Sequence, residues 1–371
     1  MVKRVVAQFV YSLNDGGAET LIKNYCRLID RTKFDVVIVV MYDIGGSAVK
    51  TAIQNMGIPI VYIYPHRNIV YRGINFLVGK IIVKNKIRRI IKQYHITTIH
   101  AHTAVLRYLY YTKSELKNIR LLYTCHSTPD RYFSGRLREE DSAARYLIDH
   151  NGLQMIALHD EMSREINSWF GINNTIVVRN GLILDDYRHE AFDKEKTREM
   201  LGIKRDAFVI GHVGRFIEEK NHRLIIQIFS EIKAKQSSAF LFLIGDGELE
   251  NDVINYLDNA GLQSDYLILS HRNDVPMLLS AMDLFLFPSK VEGLGIALVE
   301  AQIMELPCII SDRIPQEAII SESVSILGLE DSLSKWTKEA EELYKTTNRC
   351  HEDRLQLYDL ESQVRILENY Y

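Results

Sequence analysis

Cysteine is scarce in this 371-residue chain: Cys26, Cys125, Cys308 and Cys350 stand far apart, and none forms a C-x-x-C pair. That scatter argues against a disulfide framework or a structural zinc site and suits a reducing compartment. No apolar stretch approaches the roughly 20 residues that cross a bilayer. The first strand-like run begins at residue 4, so no secretory leader is expected ahead of it. Internal repeats and low-complexity linkers are missing too, as is the G-x-G-x-x-G of dinucleotide binders, which disfavours a nicotinamide role. What remains is an ordinary globular composition, 47% hydrophobic and 25% charged, in a chain long enough for two domains.

The net charge of −3 conceals an asymmetry. Residues 1–170 hold 24 Lys and Arg against 14 Asp and Glu, and the remainder holds 21 against 34. A basic first half suits an anionic partner, whether nucleic acid, a polyanionic glycan or a bilayer surface, or is simply one pole of a dipolar protein. No aromatic platform or recognition motif accompanies the surplus, so nucleic acid is not expected as a partner.

Runs of β-branched and aromatic residues alternate with amphipathic stretches along both halves. "DVVIVVMY" and "LFLFPS" are continuous apolar runs, as in parallel strands buried on both faces, and "NHRLIIQIFSEIKAK" has helical spacing. The pattern predicts two doubly wound α/β domains: 1–172, 173–351 beginning just before "IVVRNG", and a helical tail 352–371 returning to the first domain. Ligands of such sheets bind beyond the carboxyl ends of the strands, so chemistry is sought there.

Four strand exits stand out. "SLNDGGAET" follows the first strand, where Gly16 and Gly17 permit a tight turn and close approach of a ligand to the backbone. "GHVGRFIEEKNH" carries Arg215 and Lys220, a planar fork and a point charge suited to a diphosphate, though exposed loop cations are usually only solvated. "VEGLGIALVEA" sets Glu292 and Glu300 around Gly293, Leu294 and Gly295, at a turn where a helix begins with its positive end free for a phosphate. Carboxylates there accept hydrogen bonds from vicinal hydroxyls, so a diphosphate with a sugar at each end accounts for both acids and both glycines. The fourth exit, "YTCHSTPD", holds His126.

"EGLGIALVEA" resembles the E-x7-E element of retaining glycosyltransferases with two Rossmann-like domains facing across a cleft (the GT-B fold), specifically family 4. "GGAET", "GHVGRFIEEKNH", "LIGDGELE", "MDLFLFPSKVEGLG" and "ELPCIISD" fall in that family's order, most closely over residues 205–320. The wording as a whole looks like bacterial capsule and exopolysaccharide transferases. The resemblance implies that Arg215 and Lys220 bind the donor diphosphate, that Glu300 holds the ribose and that Glu292 holds the transferred sugar. It places Gly293, Leu294 and Gly295 against sugar and phosphates, His126 across the cleft near the reacting sugar, and Gly16 and Gly17 beside the phosphates or acceptor. The sequence departs from the family at Ser270, where a glycine is usual, and in "RIPQE", where a Gly-rich turn is common.

The expectation is therefore a retaining, metal-independent glycosyltransferase with no cofactor. It would move a sugar from a nucleotide-sugar donor, UDP-linked, to a glycan or polyprenyl-diphosphate-linked acceptor of a bacterial surface polysaccharide. A nucleotide-sugar epimerase of related fold and a non-catalytic nucleotide-sugar-binding partner of a transferase are the alternatives. "HAH" puts His100 and His102 on one strand face without a third ligand, so a strand-end structural role is expected rather than a metal. His159, His212, His222 and His271 are expected to be satisfied surface or core residues. Residues 80–94, "KIIVKNKIRRIIKQY", hold six basic residues and no acid, with Val83, Ile87, Ile90, Ile91 and Tyr94 at helical spacing. They read either as a surface helix with its stripe in the core or as a contact with anionic membrane. The location expected is cytoplasmic, peripheral on the inner membrane face.

Overall fold

A computed structural model describes the chain except residues 1–2, 15, 67–68, 136–137, 188–191, 273 and 345–349. It divides into two compact units, Met1–Gly181 with Leu360–Tyr371, and Leu182–Asp359.

The first unit holds strands β1 (Arg4–Val10), β2 (Phe34–Tyr42), β3 (Ile60–Tyr64), β4 (Thr98–His102), β5 (Arg120–Thr124), β6 (Gln154–Ala157) and β7 (Ile176–Val177). Their order is β3-β2-β1-β4-β5-β6-β7, and every pairing is parallel. In the second unit β8 (Phe208–Val213), β9 (Ala239–Ile244), β10 (Tyr266–Leu269), β11 (Leu284–Phe287), β12 (Cys308–Ser311) and β13 (Val324–Leu327) pair in parallel in the order β10-β9-β8-β11-β12-β13. Parallel strands need crossover connections, and helices supply them, covering both sheet faces. The apolar runs follow from this burial: all four residues of β11 are inaccessible. The helix His222–Lys235 turns Ile225, Ile226, Phe229 and Ile232 onto the sheet, each full burial contributing about 1.5–3 kcal/mol.

The domain boundaries differ from those predicted. "IVV" is not the first strand of the second unit: Ile176 and Val177 pair with Ile156 and Ala157 of β6 and extend the first sheet. A two-residue strand has no period by which sequence could assign it to one sheet or the other. The division lies at Gly181, whose absent Cβ would stand 2.6 Å from Leu360 Cα, so the two connecting segments run in contact. The helix Glu352–Gln356 stays with the second unit, where the Arg354 guanidinium donates to Ile319 O at 2.7 Å, and the return to the first unit begins at Leu360 rather than 352. Strand β13 escapes sequence reading because it is an edge strand with Ile326 46% exposed, which breaks any apolar run.

Candidate functional site

In each sheet the strand order reverses beside the first strand, between β1 and β4 and between β8 and β11. Loops leaving the carboxyl ends of such a pair diverge and open a crevice. In the second unit the β8 exit carries Arg215 and Lys220, and the β11 exit carries Glu292 to Gly295. Backbone and side-chain bonds tie the two exits together: Lys290 N–H donates to Glu219 O at 2.7 Å, and Asn221 Nδ2 to Pro288 O at 3.2 Å.

Lys220 Nζ lies 2.5 Å from Glu292 Oε1 and 5.1 Å from the centre of the Phe287 ring. Both side chains are largely buried, 17% and 10% exposed, so this ion pair is little screened by solvent. An ammonium has three donors, and Glu292 takes one. Arg215 is exposed, and no described residue pairs with its guanidinium.

Gly295 has φ +81° and ends the β11 loop as the N-cap of the helix Ile296–Ile303. That left-handed conformation suits glycine, and the first N–H groups of the helix have no intrahelical acceptor. Glu300, the fifth residue of this helix, accepts a hydrogen bond from the Tyr187 hydroxyl. Burial raises the Glu300 carboxyl to about 7, against the lowering effect of the Tyr187 bond. Burial, followed by the neighbouring Glu300 charge, pushes Tyr187 well above its ordinary value. Leu294 is buried beneath the loop at 2% exposure, and Gly293 lies half-buried beside it.

Under the β8 exit lie His212 and His222, in the core as expected but not satisfied. His212 Nδ1 bonds Leu286 O at 2.8 Å. His212 Nε2 and both ring nitrogens of His222 have no partner among the described residues. Aromatic rings surround them instead, Phe216 lying 4.5 Å from His222 and Phe287 5.7 Å from His212. Burial, then the neighbouring positive groups, keeps both imidazoles neutral, His222 falling to about 3.

In the first unit Gly16 caps the helix Gly17–Leu28 with extended backbone, so neither glycine is there for a left-handed turn. A Cβ on Gly16 would stand 2.6 Å from Glu19 Oε2, whereas Gly17 faces open space. His126 follows β5 and is half-buried, its Nε2 3.0 Å from His102 Nδ1. Burial lowers it to about 4, so it is neutral at pH 7. His100 and His102 are fully buried, and all four of their ring nitrogens are engaged in hydrogen bonds.

The long helix Ile69–Tyr94 turns Val83, Ile87 and Ile90 into the core, with Ile91 and Tyr94 half-buried. Its apolar stripe is therefore not free to insert into lipid, as expected of a surface helix with its stripe in the core. The opposite face keeps Arg88, Arg89 and Lys92 exposed. Beside it Lys80, Lys84, Lys113, Tyr110 and Tyr111 line an open pocket of about 300 Å³ next to Ile81, which is 66% exposed. No described helix is long and apolar enough to cross a membrane.

Tyr187 and the partners of His102 were not found from sequence. Tyr187 stands in "LILDDYRH", 113 residues before its carboxylate, and no spacing rule connects them.

Comparison with known proteins covers nearly the whole chain. Residues 15–186 match the family described as Glycosyltransferase Family 4, and residues 193–352 the family described as Glycosyl transferases group 1. EpsF of Bacillus subtilis (strain 168), which carries a glycosyltransferase name, is 29% identical over 349 residues, 91% of this chain and 86% of that one. A UDP-Gal:alpha-D-GlcNAc-diphosphoundecaprenol alpha-1,3-galactosyltransferase of Escherichia coli is 36% identical over 140 residues, 37% of this chain and 36% of its own. Among solved structures, Anabaena HepE in complex with UDP and glucose superposes with a TM-score of 0.77 over 99% of this chain and 98% of that one, at 18% identity.

Proposed function

The chain belongs to the family 4 glycosyltransferases, built from two Rossmann-like units in the GT-B manner, and from that premise we propose a retaining, metal-independent transferase of bacterial surface polysaccharide synthesis. Its donor is a UDP-linked sugar and its acceptor a polyprenyl-diphosphate-linked or growing glycan. The donor and acceptor classes are those printed in the name of the Escherichia coli relative, and UDP is bound in the HepE structures. The observation that carries the reading is the Lys220–Glu292 ion pair joining the β8 and β11 exits, beside the helix that Gly295 caps and that bears Glu300.

In this reading Lys220 and Arg215 meet the diphosphate, with the N-terminus of the helix Ile296–Ile303 behind it. Their positive charge stabilises the departing diphosphate, the task a metal ion performs elsewhere. Glu300 accepts from the ribose hydroxyls. Glu292 orients Lys220 and accepts from a hydroxyl of the transferred sugar, and His126 meets the same sugar. Gly16 and Gly17 leave room for phosphate or acceptor. The acceptor hydroxyl attacks the anomeric carbon from the face the diphosphate leaves. Its oxygen forms the new bond as the old carbon–oxygen bond breaks, and its proton passes to the leaving phosphate. Trapping of a glycosyl-enzyme adduct would refute this same-face course.

The basic face of residues 80–94, with the lysine- and tyrosine-lined pocket, would lie against the anionic inner face of a membrane, where a lipid-linked acceptor resides. Flotation with anionic vesicles at low salt tests this, and no co-flotation rejects it. The central experiment is calorimetric titration with UDP, GDP, ADP and their sugars in EDTA. Binding of one nucleotide, lost in Lys220→Ala and Glu300→Ala, is the expected result, and binding of none overturns the proposal. Product analysis by NMR then separates transfer from epimerisation.

A further inference from the structure

A line of hydrogen bonds runs through the first sheet from His126 to Thr124. His126 Nε2 lies 3.0 Å from His102 Nδ1, and His102 Nε2 lies 2.7 Å from Gln8 Oε1. Gln8 Nε2 donates to the Tyr371 hydroxyl at 2.9 Å. That hydroxyl lies 2.9 Å from His100 Nδ1, and His100 Nε2 lies 2.7 Å from Thr124 Oγ1. Strand geometry assembles the line. His100 and His102 share a face of β4 because strand side chains alternate, while Gln8 of β1 and Thr124 of β5 flank them in register.

Five of its six members, all but His126, are 2% exposed or less. Apolar side chains would pack these positions without the desolvation that polar ones incur. Only His126 is half-buried, and its Nδ1 has no partner among the described residues.

The Gln8 amide gives the line a direction. Its oxygen faces His102, so His102 Nε2 must carry a proton. A neutral His102 then has only a lone pair at Nδ1, and His126 must donate from Nε2. Burial keeps His100, His102 and His126 neutral, His126 at about 4, so no member supplies a second proton. On the other side the Tyr371 hydroxyl, accepting from Gln8, donates to His100 Nδ1.

We infer that Gln8 and His102 are positioning residues that hold His126 protonated at Nε2, so that Nδ1 is offered as a hydrogen-bond acceptor to a hydroxyl of the reacting sugar. The inference rests on the reading above that His126 meets that sugar. It gives His126 the role of a neutral acceptor and rules out that of a cation beside the diphosphate.

The test is 15N NMR of the full chain with labelled histidine, His126 being assigned by its loss in His126→Ala. The wild type is expected to show a single His126 tautomer protonated at Nε2. In Gln8→Met, and independently in His102→Phe, the proton should be shared between the two nitrogens. UDP release from UDP-galactose, or UDP-glucose where the titration selects it, should then fall about tenfold in kcat, the loss of one hydrogen bond in the transition state. The donor KM should stay within about twofold. A wild-type proton on Nδ1 overturns the inference, as do variants that keep both tautomer and kcat. Full kcat in His126→Ala overturns the placement of His126 beside the sugar, while nucleotide binding through Lys220 and Glu300 is judged separately by calorimetry.

Discussion

With Glu300 on the ribose as proposed, donor binding should depend on pH in a way that can be worked out in advance. The Glu300 carboxyl titrates at about 7 because it is buried. Ribose hydroxyls are donors, and they pair best with an ionised acceptor. A protein whose binding-competent form is only partly populated shows an apparent Kd raised by the inverse of that fraction. With a midpoint of about 7, roughly a tenth of Glu300 is ionised at pH 6 and roughly nine tenths at pH 8. The affinity of a nucleotide-sugar should therefore strengthen about tenfold from pH 6 to pH 8, or about 1.4 kcal/mol. The sign follows from the raised carboxyl, since binding is lost as pH falls through the midpoint. UDP-glucose is the better probe than UDP because its diphosphate has no terminal phosphate monoester to titrate near pH 6. His212 and His222, beside Lys220, stay neutral across this window and add no slope. Calorimetry at half-unit steps of pH reads the effect, with Glu300→Gln as control. A flat wild-type profile, or a slope that survives in Glu300→Gln, refutes the reasoning.

Four further outcomes are expected. Tyr187→Phe removes the hydroxyl that favours ionised Glu300, so the midpoint of the same binding profile should move to higher pH. Lys220→Ala should weaken UDP binding by about ten- to a hundredfold, the value of a charge-assisted hydrogen bond, as measured by titration at constant ionic strength. Gly295→Ala forces a side chain into a left-handed conformation with its Cβ 3.3 Å from Phe287 Cε1. That should cost about 1–2 kcal/mol, visible as a lowered melting temperature in calorimetry. Arg198 is 4% exposed, donates to Ala281 O, Arg205 O and Ala207 O, and pairs with Asp283 at 2.7 Å. Arg198→Met should destabilise the chain by about 1–3 kcal/mol in urea unfolding, because three carbonyls lose their donor while Asp283 keeps Lys194 at 2.6 Å and the Val209 N–H at 2.7 Å.

What the sequence determined by itself was whatever is local. Continuous apolar runs such as "DVVIVVMY" marked strands buried on two faces, and helical spacing in "NHRLIIQIFSEIKAK" marked their cover, so two parallel-sheet units could be read before any coordinates. Glu292, Gly295 and Glu300 were legible for the same reason, because one turn and the helix after it hold all three. Lys220 was legible as a strand-exit cation, but its 2.5 Å pairing with Glu292, 72 residues on, needed β8 and β11 to be neighbours. The tertiary structure alone decided that Tyr187 would hold Glu300, that the two residues of β7 would join the first sheet, and that Gln8 would lie between His102 and Tyr371. Periodicity and capping act over a few residues, whereas a buried hydrogen bond goes to whichever polar group the strand order and register bring within reach. Gln8 and Tyr371 are 363 residues apart in the chain and 2.9 Å apart in the fold, and only packing could bring them together.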